Sequence, residues 1–401
     1  MRDMVNNKKN AVYFFLFIFL WAPFDNSLYE YLVFFLFAIY VMLSSKGKLR
    51  LGSYYRMPLL LLLLWVYGVI IGILNGNEYQ YIFRNFAGLV FYSCYFFLEN
   101  KKIDLNCLRR FLIRMGIFTG IVTLAIYIDQ FVVHLNYLGN IPFLNNYTQT
   151  VSVEFVIYFP SRELMGVLFS YCLYNLLYRK KELLFNIIGI SLSLITIVIC
   201  GKSSGDTLAL MILAILIIMS RLQKNVKNKA IGYLIIGIGI ILIIFGMIFE
   251  NIMFMSNFFG KDVSGNAIRY GQIQYLLDPR NFKVFGHGLG AKLIGNIRSN
   301  EFPYSCEVIY LNLIHKFGIV AFFIFGIYIV NSIQSIKILF SKNENANNVF
   351  PISCLMYLIT SLGNPMLFSS VTVTLHICCL LFLEEYERKN LRVRWRKKMI
   401  Y

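Results

Sequence analysis

Residues 59–74 read Leu-Leu-Leu-Leu-Leu-Leu-Trp-Val-Tyr-Gly-Val-Ile-Ile-Gly-Ile-Leu, an uncharged block set between Arg56 and the break Asn75-Gly76-Asn77-Glu78. The block approaches the ~20 residues that carry a helix across a bilayer core. Lipid offers backbone N–H and C=O groups no partners, so a membrane-crossing segment is either a helix or a strand of a closed barrel. Continuous apolar residues, rather than alternating ones, select the helix. Residues 231–249 form a second block of the same kind. Working outward from these two, the pattern predicts spans near 11–24, 28–43, 58–74, 82–98, 111–133, 162–178, 183–200, 206–220, 230–249, 304–330, 349–363 and 367–383. The expected fold is an all-α, polytopic transmembrane bundle of about twelve spans in one integral membrane domain, residues 1–401. Composition agrees: 58% of residues are hydrophobic and 14% charged, at a mean hydropathy of +0.64. A soluble domain carries about 25% charged residues.

The net charge of +18 would suggest nucleic acid in a soluble protein, but its distribution points elsewhere. One set of alternating loops and the tail 384–401 hold 28 of the 38 basic residues. The opposite set keeps Arg84, Arg162, Lys202, Lys261, Arg269, Arg280, Lys283, Lys292, Arg298 and Lys316. The positive-inside rule places the first set, and both termini, in the cytoplasm. The charge excess is a topology signal, and no nucleic-acid partner is expected. The first span ends in Trp21-Ala22-Pro23-Phe24-Asp25 without a small-residue cleavage site, so it reads as an uncleaved anchor. No Cys-x-x-Cys pair occurs and the four histidines are scattered, so no metal and no cofactor are expected.

Two external loops, the third (134–160) and the fifth (250–303), are long, and long loops usually carry function. The fifth mixes six basic residues with Glu250, Asp262, Asp278 and Glu301. Within it Ser264-Gly265-Asn266-Ala267-Ile268-Arg269-Tyr270 is followed by Phe285-Gly286-His287-Gly288-Leu289-Gly290. The three glycines allow either a tight turn or the close approach of a ligand. No strand–turn–helix unit surrounds them, which excludes a dinucleotide fingerprint. Arg269 has the chemistry to grip a phosphate with two parallel hydrogen bonds. Arg84 and Arg162 lie at outer ends of spans, where ionisable residues either serve function or reach out to headgroups.

After Pro303 a helix is expected to start near Tyr304. At 100° per residue, Glu307, Leu311, Ile314 and Gly318 would share one face. Glu307 then has two readings. It complements a helix dipole, or it is a general base at the outer boundary.

In architecture the chain resembles the O-antigen polymerase (Wzy) family, within the group that also holds the O-antigen ligases. The specific match is confined to residues 264–326: the small-residue-Arg-aromatic element at 265–270, the Gly-x-Gly-x-Gly element at 286–290, and the amphipathic helix ending at Phe317-Gly318. Pro160-Ser161 leading to Gly166 is similar to a further family element. Ligases carry a histidine and then a polar residue eleven positions before the glycine matching Gly318. Here Glu307-Val308 stands there, which favours polymerase. Lys202 stands where many relatives have arginine.

The resemblance implies a metal-independent membrane glycosyltransferase of the bacterial cytoplasmic membrane. It would join undecaprenyl-pyrophosphate-linked oligosaccharide repeat units into O-antigen or capsule at the outer face. Implied partners are those lipids, the bilayer, a chain-length regulator and a flippase. The implied catalytic residues are Glu307 and, as an alternative base, His287, with Arg269 facing the departing pyrophosphate. Arg162, Arg280, Arg298 and Arg84 would assist the phosphates, and Tyr270, Tyr304 and Tyr310 would stack on sugars, although tyrosine is also enriched at membrane boundaries. A lipid-linked oligosaccharide flippase and an O-antigen ligase are the alternatives. A flippase calls for short external loops and charged mid-span residues.

Overall fold

The computed structural model describes residues 2–21, 28–44, 51–100, 103–135, 137–138, 163–179, 182–199, 204–225, 264–294, 303–306, 308–341, 346–361 and 367–400. Among these every regular element is helical: α1 (Arg2–Trp21), α2 (Leu28–Ser44), α3 (Arg56–Leu74), α4 (Tyr79–Arg84), α5 (Cys94–Asn100), α6 (Leu105–Tyr127), α7 (Leu164–Tyr174), α8 (Leu183–Ile199), α9 (Ser204–Asn225), α10 (Ser264–Leu277), α11 (Ile309–Phe317), α12 (Ala321–Leu339), α13 (Val349–Thr360) and α14 (Ser370–Ile400). Among the described residues three stretches are long and apolar enough to cross a membrane: Arg56–Leu74, Leu105–Val132 and Ile309–Leu339. The predicted span at 230–249, the loop 134–160 apart from its first residues, and the first part of the fifth loop lie outside the described residues.

Unlike helices of a soluble protein, these helices turn apolar side chains outward, over an interior that mixes apolar, small and polar residues. On α3, Leu59, Leu63, Val66, Ile70 and Ile73 point outward, whereas Gly68 and Gly72 face the interior. On α12, Phe322, Phe323, Ile329, Val330 and Ile333 are exposed, whereas Asn331 and Ser335 are buried. Apolar residues without and small or polar ones within suit a lipid solvent, which itself satisfies apolar surface.

The centre of the bundle is α14. Every side chain from Leu367 to Glu384 is buried, against α1, α5, α13 and the turn that precedes α5. Polar groups on this helix are paired. His376 Nδ1 meets the Tyr92 hydroxyl at 2.7 Å, and the Asn331 amide meets its Nε2 at 2.7 Å.

Two predicted spans are interrupted. Residues 82–98 do not form one helix: Phe86 is left-handed (φ 52°), and a 3₁₀ segment, Ala87–Ser93, leads into α5. Close packing accounts for the break, because a Cβ on Gly88 would collide with the Phe368 carbonyl. The helix expected from Tyr304 begins at Ile309 instead, since Pro303-Tyr304 form a turn and Val308 is non-helical (φ −91°, ψ 76°). Leu311 and Ile314 lie on α11 and Gly318 ends it, while Glu307, expected on the same face, lies outside the described residues. Part of the fifth loop is itself helix, α10.

The two ends of α3 carry different chemistry. Beside its start, the buried Glu384 carboxylate accepts from the Tyr95 hydroxyl (2.6 Å), the Ser53 amide (2.8 Å) and Arg388 (2.5 Å), and Arg388 also reaches Glu99 (2.7 Å). Beside its far end lies the segment with the glycine triplet.

Candidate functional site

The 19 residues of α3 climb about 28 Å at 1.5 Å each, close to a bilayer core of ~30 Å. At its far end residues 284–291 reach back into the bundle, between α3 and α11. Leu289 donates its amide to the Gly68 carbonyl (2.9 Å), six residues before the helix ends. This segment is irregular backbone at depth, which is stable only where the protein itself satisfies its polar groups.

Those groups have partners in sequence order. The Val284 carbonyl accepts from the Ile319 amide (2.9 Å) and the Phe285 carbonyl from the Tyr67 hydroxyl (2.8 Å). His287 and Gly288 donate to the carbonyls of His315 and Lys316, both at 2.9 Å. Asn77 donates from one side-chain nitrogen to the carbonyls of His287 (2.9 Å) and Leu289 (2.8 Å). Gly290 donates to Asn85 Oδ1 (3.2 Å), and the Ala291 carbonyl accepts from Lys316 Nζ.

The glycines make this possible. Gly286, Gly288 and Gly290 have φ of 77°, 74° and 78°, where side chains are strained. A Cβ on Gly286 would strike the Lys316 carbonyl, one on Gly288 the Gly72 amide, and one on Gly290 would stand 2.7 Å from the Ile82 amide. Gly318 (φ 58°) ends α11 against the Val284 carbonyl. The triplet forms turns, as one of the two expectations had it, and what comes close to its glycines is the backbone of neighbouring helices.

Two histidines sit against this seat. His287 and His315 stack with ring centroids 4.3 Å apart and planes 17° apart. Tyr275 of α10 meets His315 edge-on at 5.8 Å. His287 Nε2 lies 2.9 Å from the Asn281 carbonyl; a carbonyl only accepts, so Nε2 carries the proton and Nδ1 is left with a lone pair. Burial holds the His287 imidazole below its ordinary value, with Lys283 and Lys316 repelling a further charge. His287 is thus a neutral base at pH 7. His315 is 6% exposed, and among the described residues neither ring nitrogen has a hydrogen-bond partner. Nearly parallel rings aim their lone pairs along separate planes, so the pair does not converge on one metal ion.

The cations at this end are largely engaged. Arg280, at the turn Pro279–Asn281, places Nε and Nη2 on the Asp278 carboxylate (3.1 and 2.6 Å), although its side chain is 88% exposed. That contact lowers the Asp278 carboxyl below its usual range. Lys292 pairs with Glu78 (2.5 Å) and lies over the Tyr81 ring at 5.3 Å. Lys283 donates to the neutral Asn75 (2.9 Å). Lys316 is completely buried.

The other predicted residues scatter more. Arg269 is half-buried on α10, with Tyr270 exposed beside it. Arg84 is exposed at the end of α4. Tyr304 is buried against Tyr81 (5.6 Å), and Tyr310 gives its hydroxyl to the Leu358 carbonyl (2.6 Å), which turns it toward α13. Gly166 packs on Met356. Glu307, Arg162, Arg298 and Lys202 lie outside the described residues. Sequence reasoning assigned no role to Asn77, Asn85 or His315; the legible signal was a His-Lys pair inside an otherwise apolar helix. The chain matches no protein-family model, no curated protein and no solved structure.

Proposed function

We propose that this chain polymerises undecaprenyl-pyrophosphate-linked oligosaccharide repeat units into surface polysaccharide, at the outer face of a bacterial cytoplasmic membrane. One observation carries the reading. The three sequence elements that resemble the polymerase family, at 264–270, 286–290 and 309–318, belong to α10, the re-entrant segment and α11, which pack together as one unit. The two-ended chemistry of α3 supports the orientation: Arg388 of the basic tail pairs with Glu384 beside one end, and the proposed site lies at the opposite end. The wider expectation of about twelve spans with cytoplasmic termini belongs to the same proposal.

In the reaction, a hydroxyl oxygen of the incoming repeat unit attacks the anomeric carbon of the growing chain. The bond from that carbon to the pyrophosphate oxygen breaks, and its electron pair leaves with the phosphate. The hydroxyl proton passes to a base, Glu307 or the neutral His287. Arg269 and Lys283, with Arg280, Arg84, Arg162 and Arg298, would stabilise the charge developing on the leaving group.

A transporter reading has one observation in its favour: His376 is buried mid-helix in α14, bonded to Tyr92 beside an interrupted span, and such residues mark translocation paths. The surface polysaccharide of a deletion strain decides. One repeat unit retained without longer chains means polymerase. Total loss means flippase, and polymer left on its lipid carrier means ligase.

A further inference from the structure

His315 is an odd residue to find where it stands. Its ring is packed between His287 and Tyr275, and a phenyl ring would fill the same space. Yet among the described residues neither of its buried nitrogens has a hydrogen-bond partner. One turn earlier on the same helix, Asn312 is 1% exposed and its Oδ1 is likewise unpartnered. Residues three apart share a helix face. Buried polar atoms nearly always have partners, and each exception calls for a reason. Two on one face of one short helix, against a segment most of whose backbone groups have partners, form a pattern.

We infer that His315 and Asn312 bind the attacking hydroxyl of the acceptor sugar. This rests on the polymerase reading and adds to it the acceptor subsite. The chemistry matches: a neutral imidazole offers one donor and one acceptor, an amide oxygen offers an acceptor, and a hydroxyl needs both kinds. A phosphate would call for cationic forks, and the guanidinium of Arg269 belongs to α10 rather than to α11. The arrangement separates the two halves of the reaction, with the anion on the α10 side and the hydroxyl on the α11 side.

The test uses the full-length protein in the deletion strain, and the same variants purified in lipid with repeat-unit lipid extracted from that strain. His315→Phe keeps the ring stack and removes both nitrogens; His315→Gln keeps a donor and an acceptor. Membrane abundance, melting temperature and polymer length are read together. The expected orders cross: Phe melts at or above wild type, and its polymerisation falls about tenfold or more, as when a hydroxyl loses its bonding partner. Gln melts lower and keeps more activity than Phe. Asn312→Leu should follow the Phe pattern. Full-length polymer from His315→Phe at wild-type abundance overturns the subsite and leaves the polymerase reading intact. A Phe variant that fails to accumulate also overturns it, because the nitrogens then serve the fold. If the deletion strain itself makes normal chains, the reading has failed and the subsite with it.

Discussion

Gly288 of the re-entrant segment and Gly72 of α3 meet backbone to backbone: a Cβ on the first would collide with the amide nitrogen of the second, and a Cβ on Gly72 would stand 2.6 Å from the Leu289 carbonyl. Gly288→Ala combines a left-handed penalty of about 1–2 kcal/mol with overpacking of about 1–3 kcal/mol. The variant should be nearly absent from the membrane. Gly326→Ala, where a Cβ meets nothing within 4 Å, should accumulate normally and melt slightly higher. Equal abundance of the two variants would refute the backbone clamp.

Asn77 tests the same clamp through hydrogen bonding. Its amide nitrogen serves two carbonyls, so Asn77→Ala leaves both without that donor, at about 1–3 kcal/mol. Asn77→Asp has the same shape but points an acceptor at two acceptors. Aspartate should therefore be worse than alanine in melting temperature. The reverse order would show that the side chain faces away from the segment.

For His287 the sign follows from burial. The native imidazole binds a proton less readily than the unfolded one, whose value is near 6.5. Above that pH both states are neutral and the group contributes nothing. Below it the unfolded state takes up the proton first, so stability falls as pH drops. Melting temperatures between pH 7.5 and 5.5 should decline less steeply in His287→Gln, whose amide can still donate to the Asn281 carbonyl. Parallel slopes for variant and wild type would remove His287 from the account.

Arg269→Lys should lose most polymerisation although it keeps its charge, since an ammonium cannot make two parallel bonds to a phosphate. A fall of ~100-fold or more is the scale for losing a key transition-state donor. Wild-type chain lengths in a normally expressed Arg269→Ala strain would make this residue a bystander.

Glu307→Gln separates a base from a helix-terminus charge. If Glu307 accepts the proton, polymer should vanish with the protein still in the membrane. If it only complements the start of α11, the loss is about 0.3–1 kcal/mol of stability, too little to silence an enzyme. Full-length polymer from the Gln variant moves the base to the histidine pair.

The sequence alone determined that the chain is built of apolar helices, because a run such as residues 59–74 has no other way to satisfy its backbone in lipid. It also marked residues 264–318 as the region to inspect, through glycines and charges that no membrane span requires. Period and composition are local properties, and here their reach stopped. They could not place the start of α11 at Ile309, which Pro303 and the non-helical Val308 decide together. Nor could they foresee the left-handed Phe86 that breaks 82–98, where the collision is with Phe368, far along the chain. A missing Cβ looks the same in sequence whether a ligand or a helix fills its place. Only the tertiary structure decided that α3 fills it, through contacts such as Tyr67 to Phe285, 218 residues apart. The same holds for His315: whether a buried imidazole is bonded depends on every element packed around it, and its ring contacts, Tyr275 and His287, come from elsewhere in the chain.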